Sequence, residues 1–317
     1  MTQRFSDNLQ IIANYTGGTK TMSSALVLAG IMGERWDISL NKGSRIDLIK
    51  VTSGTDVPVM VDKWGIFCQL QMDSAKRAIE NYGYSSADSL LSELSQHSLE
   101  SSLEKRIIRD RLLCKAFAYW DKFDHAAALN LLEREAQGFV EYILILKKIL
   151  GKMQTTGYEL VVDLLLNAQR RAAQSHYDDA VARLYRATEL FAQIRLKKEY
   201  GIDTSDLKLN QLKDDIRPYY ESRVRDDGKV MLGLREDYEL LLRLCDQTGK
   251  IYENQKARVI DTLKRRNQSI VAHGLTPLMK NDYQSVWDIL KGFIDEMAEK
   301  ISLTMEFKQL PTKGILS

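Results

Sequence analysis

The chain has 317 residues, of which 44% are apolar and 28% are charged, a composition typical of a globular protein with about two domains. A formal charge of +2 is too small for a protein that coats nucleic acid, so any RNA contact is expected to be local. Three widely separated cysteines without a CxxC pair argue against a disulfide framework and a structural zinc site. The sequence contains neither a membrane-spanning apolar run nor a signal-peptide core, so we expect a cytoplasmic protein with no membrane partner.

The first predicted elements are a buried strand at residues 8–15, a glycine turn and an apolar helix from Met22 to Met32. The turn consists of Thr16, Gly17, Gly18, Thr19 and Lys20. Strand, glycine turn and helix follow one another in this order where α/β folds bind anions at a helix N-terminus. Lys20 adds a charge, and Thr19 or Thr21 can cap the helix. The spacings of the P-loop and of the GxGxxG signature are absent, and for a lone glycine turn a purely structural role is the more common explanation.

Further strands are predicted at Trp36–Leu40 and Ile46–Thr52, with a short edge strand at Val57–Val61, where Pro58 cannot donate to a neighbouring strand. After Lys63 the pattern becomes helical. An open α/β sheet usually has about five or six strands, so the sheet is predicted to be incomplete.

The rest of the chain is predicted to be helical almost to its end. The predicted helices are Gln71–Tyr82, Ser86–Gln96, Leu99–Phe123, Ala126–Gln137, Phe139–Lys152, two helices within Glu159–Tyr200 that meet at Ser175-His176, then 234–246, Lys250–Ala272 and Asn281–Phe307. Aromatic and small residues around Phe123 and Tyr177 indicate helix hairpins, and their separation of 54 residues differs from the repeat of a tetratricopeptide array. His125 and His176, which lie at these corners beside aspartates, are predicted to have capping or surface roles.

A candidate catalytic segment follows at Arg266-Asn267 to His273-Gly274. On a helix, a separation of seven places Arg266 and His273 about two turns apart on one face. An arginine binds phosphate and a histidine transfers protons near neutral pH, so the pair suits chemistry on a phosphodiester. The competing interpretation is a surface arginine and a C-terminal histidine on a helix that Gly274 ends.

Residues 159–305 resemble a HEPN domain, the helical nuclease module whose signature is an arginine, four to six residues, and a histidine. Six residues separate Arg266 from His273, and Asn267 matches the polar residue that commonly follows the arginine. The turn at residues 16–20 resembles the ligand loop of CARF domains, the Rossmann-like sensors of CRISPR systems. In this order the two motifs resemble the CARF–HEPN ribonucleases of type III CRISPR immunity. Family members carry a longer stretch before the glycine turn, so the resemblance predicts an N-terminally incomplete sensor.

The resemblance implies an α+β, mostly α fold, with a partial CARF segment at residues 1–68, an all-α linker at 69–155 and a HEPN domain at 156–317. It implies a metal-independent endoribonuclease that cleaves single-stranded RNA and leaves 2′,3′-cyclic phosphate ends. The catalytic residues would be Arg266, Asn267 and His273, with no metal ligands and no cofactor. One such set from each subunit of a homodimer would form a composite site.

The resemblance also implies an activator, cyclic oligoadenylate, bound across the dimer by Thr16, Gly17, Gly18, Thr19 and Lys20. Two alternatives stay open from the sequence. One is a non-catalytic helical scaffold that binds RNA or protein, in which Arg266 and His273 are structural. The other is a constitutive HEPN ribonuclease toxin, in which the α/β segment serves only for dimerisation.

Overall fold

A computed structural model of the protein describes residues 11–32, 36–43, 45–46, 50–51, 57–95, 100–135, 137–224, 226, 229–267 and 275–316. The chain divides into two compact units, one made of Met1–Ala78 with Ser86–Arg111 and the other of Ile79–Ser85 with Leu112–Ser317. The domain boundaries expected after residues 68 and 155 stay a prediction.

The first unit contains a small sheet. Its elements in chain order are β1 (Ile11–Asn14), α1 (Lys20–Met32), β2 (Trp36–Lys42), β3 (Arg45–Ile46), β4 (Lys50–Val51) and β5 (Val57–Val61). Strands β1, β2 and β5 are neighbours in that order. β1 and β2 are parallel, joined through α1, whereas β5 runs antiparallel to β2. β5 lies at the edge of this sheet, as Pro58 predicts, because proline cannot donate a ladder hydrogen bond.

One strand prediction is wrong. Arg45 pairs with Val51 and Ile46 with Lys50 in an antiparallel ladder, so residues 46–52 do not form a single strand. The apolar and β-branched residues of this stretch predict extended backbone, but periodicity alone does not identify which strand pairs with which.

Helix α1 packs closely on β2. A Cβ at Gly30 would lie 2.7 Å from Cγ1 of Ile38, a buried residue of β2, so only glycine permits this approach. The glycine turn that precedes α1 is thereby positioned by the sheet beneath the helix.

The remaining helices confirm the mostly α fold class. They are α2 (Lys63–Glu80), α3 (Tyr84–Leu94), α4 (Ser101–Asp121), α5 (His125–Leu132), α6 (Val140–Ile149), α7 (Glu159–Ala173), α8 (Tyr177–Tyr200), α9 (Arg217–Glu221), α10 (Leu234–Arg243), α11 (Gln247–Asn267) and α12 (Lys280–Lys300), with short 3-10 helices at Glu133–Glu135 and Leu209–Gln211. The predicted extension of the last helix to Phe307 is wrong, because α12 ends at Lys300 and Ser302 adopts a positive φ of 53°. None of the described helices combines the length and apolar character needed to cross a membrane.

Helix α8 is the centre of the second unit. Its apolar stripe is buried, as the spacing predicts: Ala180, Leu184, Ala187 and Phe191. The helix ends at Gly201, whose left-handed φ of 68° lets Ile202 N–H bond the Leu196 carbonyl at 3.1 Å. Both Leu196 and Ile202 are buried, so the chain is turned back onto the core at this point.

Three helix hairpins share one corner geometry. Phe123, Ser175 and Cys245 each have a φ between 62° and 66° and lie two residues before the next helix. The first two corners confirm the predicted hairpins. The third was not predicted, although Asp246 carries a local signal: its carboxylate accepts a bond of 2.8 Å from the Thr248 amide, as N-capping aspartates do.

Asp237 of α10 is predicted to make the stability of the folded state depend on pH. Its carboxyl is fully buried. Loss of water and the negative charge of Glu189 raise the pKa of Asp237 to about 8. The folded state therefore binds this proton more tightly than the unfolded chain. The resulting stability is full below the ordinary aspartate pKa and is lost as the pH rises through about 8.

We expect Asp237→Asn to remove most of the loss of stability at high pH. An amide stays neutral, so the variant should be more stable than wild type at pH 8 by roughly 3–5 kcal/mol and nearly equal to it at pH 4. Urea unfolding at both pH values measures this difference. Asp214→Asn is the matched control, since the Asp214 side chain is 93% exposed. Equal pH dependence of Asp237→Asn and wild type would contradict the assignment.

Candidate functional site

The predicted ligand loop lies at the carboxyl edge of the parallel strands. β1 ends at Asn14, and the next amide, Tyr15 N–H, donates to the Ser39 carbonyl of β2 at 3.1 Å. Ligands of open α/β sheets bind at this edge, where strands end and helices begin. The structure therefore brings the loop to the expected part of the sheet.

Two asparagines that the sequence did not single out hold the loop. Asn14 donates from Nδ2 to Ser39 Oγ at 3.1 Å and to Asn41 Oδ1 at 2.8 Å, and its own Oδ1 accepts the Thr16 amide at 3.0 Å. Thr16 Oγ1 in turn accepts the Asn41 amide at 2.6 Å. Polar residues at the ends of two adjacent parallel strands are the signal that could have identified them.

Thr19 is the cap of α1, as expected. Its hydroxyl accepts the Met22 amide at 3.3 Å, and Lys20 is the first helical residue. Gly18 has a φ of 98°, which favours glycine, and a Cβ at Gly17 would meet nothing within 4 Å. All five loop residues are exposed, so an anion could approach the helix N-terminus and Lys20 without rearrangement of the loop.

The candidate catalytic segment begins at the end of α11. The backbones of Arg266 and Asn267 form its last turn, but the described part of the structure omits their side chains and all of residues 268–274. His273 and Gly274 therefore lie outside the described residues, as does the predicted helical stretch from residue 268 to Ala272. The shared face of Arg266 and His273 stays a prediction.

Backbone amides anchor the chain that follows the segment. Beyond it, the Leu278 amide lies 3.4 Å from each carboxylate oxygen of Asp178, in the first turn of α8. The Met279 amide bonds Asp282 Oδ2 at 3.0 Å and starts α12. The catalytic segment thus connects the end of α11 to a point held against the start of α8. Leu275, directly after the segment, is 87% exposed.

The two corner histidines, His125 and His176, differ in their exposure to solvent. His176, just before α8, is exposed and its side chain makes no capping bond, which agrees with a surface role. The same expectation for His125 is wrong: it is buried, and its Nε2 lies 2.8 Å from Asp163 Oδ2. Asp163 also accepts Trp120 Nε1 at 3.2 Å and lies 3.5 Å from Arg170. Removing one member of such a buried ionic cluster is costly, because the remaining charges lose their partner.

The chain resembles known proteins in sequence and in fold. Residues 150–297 match the family model described as the Csm6 HEPN domain. The structure is similar to that of Csm6 from Enterococcus italicus bound to cyclic hexa-2′-fluoro-hexa-dAMP, with a TM-score of 0.59 and 14% sequence identity over 93% of this chain and 70% of that chain. No curated protein sequence matches the chain. The match at 150–297 contains the whole of α7, α8, α10 and α11 and the candidate catalytic segment.

Proposed function

We propose that this chain, whose residues 150–297 match the Csm6 HEPN domain, is a CRISPR-associated ribonuclease that cleaves single-stranded RNA without a metal ion at Arg266, Asn267 and His273. The observation that carries this proposal is the position of the arginine–histidine motif, which begins in the last turn of α11 inside the matched HEPN segment.

The chemistry needs no external nucleophile. The 2′-hydroxyl of RNA attacks the adjacent phosphorus, and the bond to the 5′-oxygen of the next nucleotide breaks. His273 removes the proton of the 2′-hydroxyl or protonates the departing 5′-oxygen, and Arg266 stabilises the charge that develops on the phosphorane oxygens. Asn267 orients the phosphate or the histidine. The products are a 2′,3′-cyclic phosphate and a 5′-hydroxyl.

The site would be completed by a second subunit. One chain offers a single arginine and a single histidine in this motif, whereas acid and base catalysis of the transfer needs two proton-transferring groups. A homodimer with both motifs facing one cleft supplies both histidines. This arrangement supports the proposal of a composite active site.

Activation is proposed to come from cyclic oligoadenylate at residues 16–20. The exposed loop presents a helix N-terminus and the Lys20 ammonium to phosphates, and the E. italicus protein of similar fold was solved with a cyclic oligonucleotide bound. Binding switches the nuclease only if the ligand favours one conformation of the dimer over another.

We expect RNA cleavage to depend on cyclic oligoadenylate and Lys20→Ala to raise the activator concentration required by roughly 5- to 10-fold, because one charge–phosphate contact is lost. The measurement is cleavage of a fluorescent single-stranded RNA against activator concentration, with EDTA present and product ends identified by mass spectrometry. Lys42→Ala, an exposed lysine at the end of β2, is the control.

The same assay separates the alternatives. Activity that needs no activator supports a constitutive ribonuclease toxin, and absence of cleavage with every activator ring size supports a scaffold. An unchanged activator response in Lys20→Ala would move the sensor site elsewhere. Loss of cleavage in EDTA, restored by Mg²⁺, would contradict metal independence.

A further inference from the structure

Three aromatic rings form a row where α8 and α12 begin. Tyr177 is the first residue of α8, and Tyr283 and Trp287 are one turn apart on α12. The ring centroids of Tyr177 and Tyr283 are 6.1 Å apart with planes tilted by 32°, and those of Tyr283 and Trp287 are 6.1 Å apart with a tilt of 41°. Tyr283 is buried, whereas the two outer rings are partly exposed.

A short stretch of chain links the proposed catalytic histidine to a residue that contacts the start of α8, beside the row. Tyr177 directly precedes Asp178, whose carboxylate contacts the Leu278 amide. Leu278 is five residues after His273, and five extended residues span at most about 18 Å. His273 therefore lies within this reach of the contact beside Tyr177. All three rings pack in or against the hydrophobic core, and the two outer ones, Tyr177 and Trp287, also remain partly accessible to solvent.

We propose that Tyr177 and Trp287 form a base-stacking platform that holds an unpaired base of the RNA substrate beside the catalytic segment. The proposal rests on the ribonuclease function proposed above. Proteins recognise single-stranded RNA by stacking its splayed bases on aromatic rings, and this contact tolerates any base because each has a π face. Arg266 would bind the phosphate while the platform binds the base, so that the platform contributes binding and selects single strands over duplex.

The test measures RNA binding without cleavage, in a His273→Ala background. Tyr177→Ala is expected to weaken binding of a short mixed-sequence single-stranded RNA by roughly 5- to 100-fold, the effect of losing one stacked base, whereas Tyr177→Phe keeps the ring and the affinity. RNA should also change the tryptophan emission, and Trp287→Phe should remove that change. Duplex RNA hides its bases, so its affinity should not depend on Tyr177.

Tyr119→Ala is the matched control, because Tyr119 is a 43% exposed tyrosine of α4. If Tyr177→Ala fails to fold, Tyr177→Leu keeps an apolar contact with Tyr283 and removes only the aromatic ring. Unchanged affinity in Tyr177→Leu, or an emission change that persists in Trp287→Phe, overturns the platform. If the wild-type protein binds RNA through Tyr177 but cleaves none, the nuclease proposal fails and the platform stands. If the wild-type protein cleaves RNA and its RNA affinity does not depend on Tyr177, only the platform fails.

Discussion

Replacing His273 with alanine is expected to lower the rate of RNA cleavage by roughly 100- to 10,000-fold, because a positioned general acid or base contributes that much. Arg266→Ala should lower it by roughly 100- to 1,000-fold through loss of charge stabilisation in the transition state. The measurement is single-turnover cleavage at saturating activator, so that binding of RNA and activator does not limit the rate. Either variant cleaving at the wild-type rate would contradict the assignment of the site.

Lys264→Ala is the matched control for both. Lys264 is an exposed cation near the end of α11, and its Nζ bonds Asp261 at 2.9 Å. Its removal changes the local charge of the helix by the same amount as Arg266→Ala, so we expect activity within about twofold of wild type. A composite site adds one further expectation. When His273→Ala and Arg266→Ala subunits are mixed, no dimer contains two complete motifs, so RNA cleavage should not be restored.

Arg170→Ala is expected to destabilise the fold by about 3–5 kcal/mol, because Asp163 and Asp121 lose their buried cationic partner. Arg170 is fully buried on α7. Its Nε donates to Asp121 Oδ1 at 2.7 Å, its Nη1 donates to Gln309 Oε1 at 2.7 Å, and Asp163 lies 3.5 Å away. The guanidinium thereby connects the end of α4, α7 and the C-terminal tail. Urea unfolding followed by tryptophan fluorescence measures the loss, since Trp120 bonds Asp163.

Arg235→Ala provides the comparison. Its side chain is 66% exposed and bonds Glu239 at 2.8 Å, a surface pair that is expected to contribute little to stability. Arg170→Lys should recover only part of the stability, because an ammonium cannot reproduce the planar fork of the guanidinium. A loss for Arg170→Ala no larger than that for Arg235→Ala would show that the buried cluster tolerates the loss of this cation.

Local patterns in the sequence were sufficient for most of the helical fold. The three- and four-residue spacing of apolar residues in α8 predicts which face is buried, because a helix presents those positions on one side whatever its surroundings. The strand, glycine turn and helix at residues 11–32 were likewise predicted. Thr19 caps the helix, and Gly18 adopts the turn conformation, through contacts that span only a few residues. Spacing also singled out Arg266 and His273 as candidate catalytic residues, which lie inside the family match at 150–297 and whose role stays a prediction.

Contacts between residues far apart in the chain were decided only by the tertiary structure. His125 was expected at the surface because its neighbours form a polar corner, but its partner Asp163 is 38 residues away and no local pattern encodes their meeting. Asn14 and Asn41 act together only because β1 and β2 are parallel and end at the same edge. The aromatic row from Tyr177 to Trp287 exists because α8 and α12 pack side by side. Sequence periodicity reports which face of an element is apolar, whereas the identity of the facing residues depends on how the elements pack.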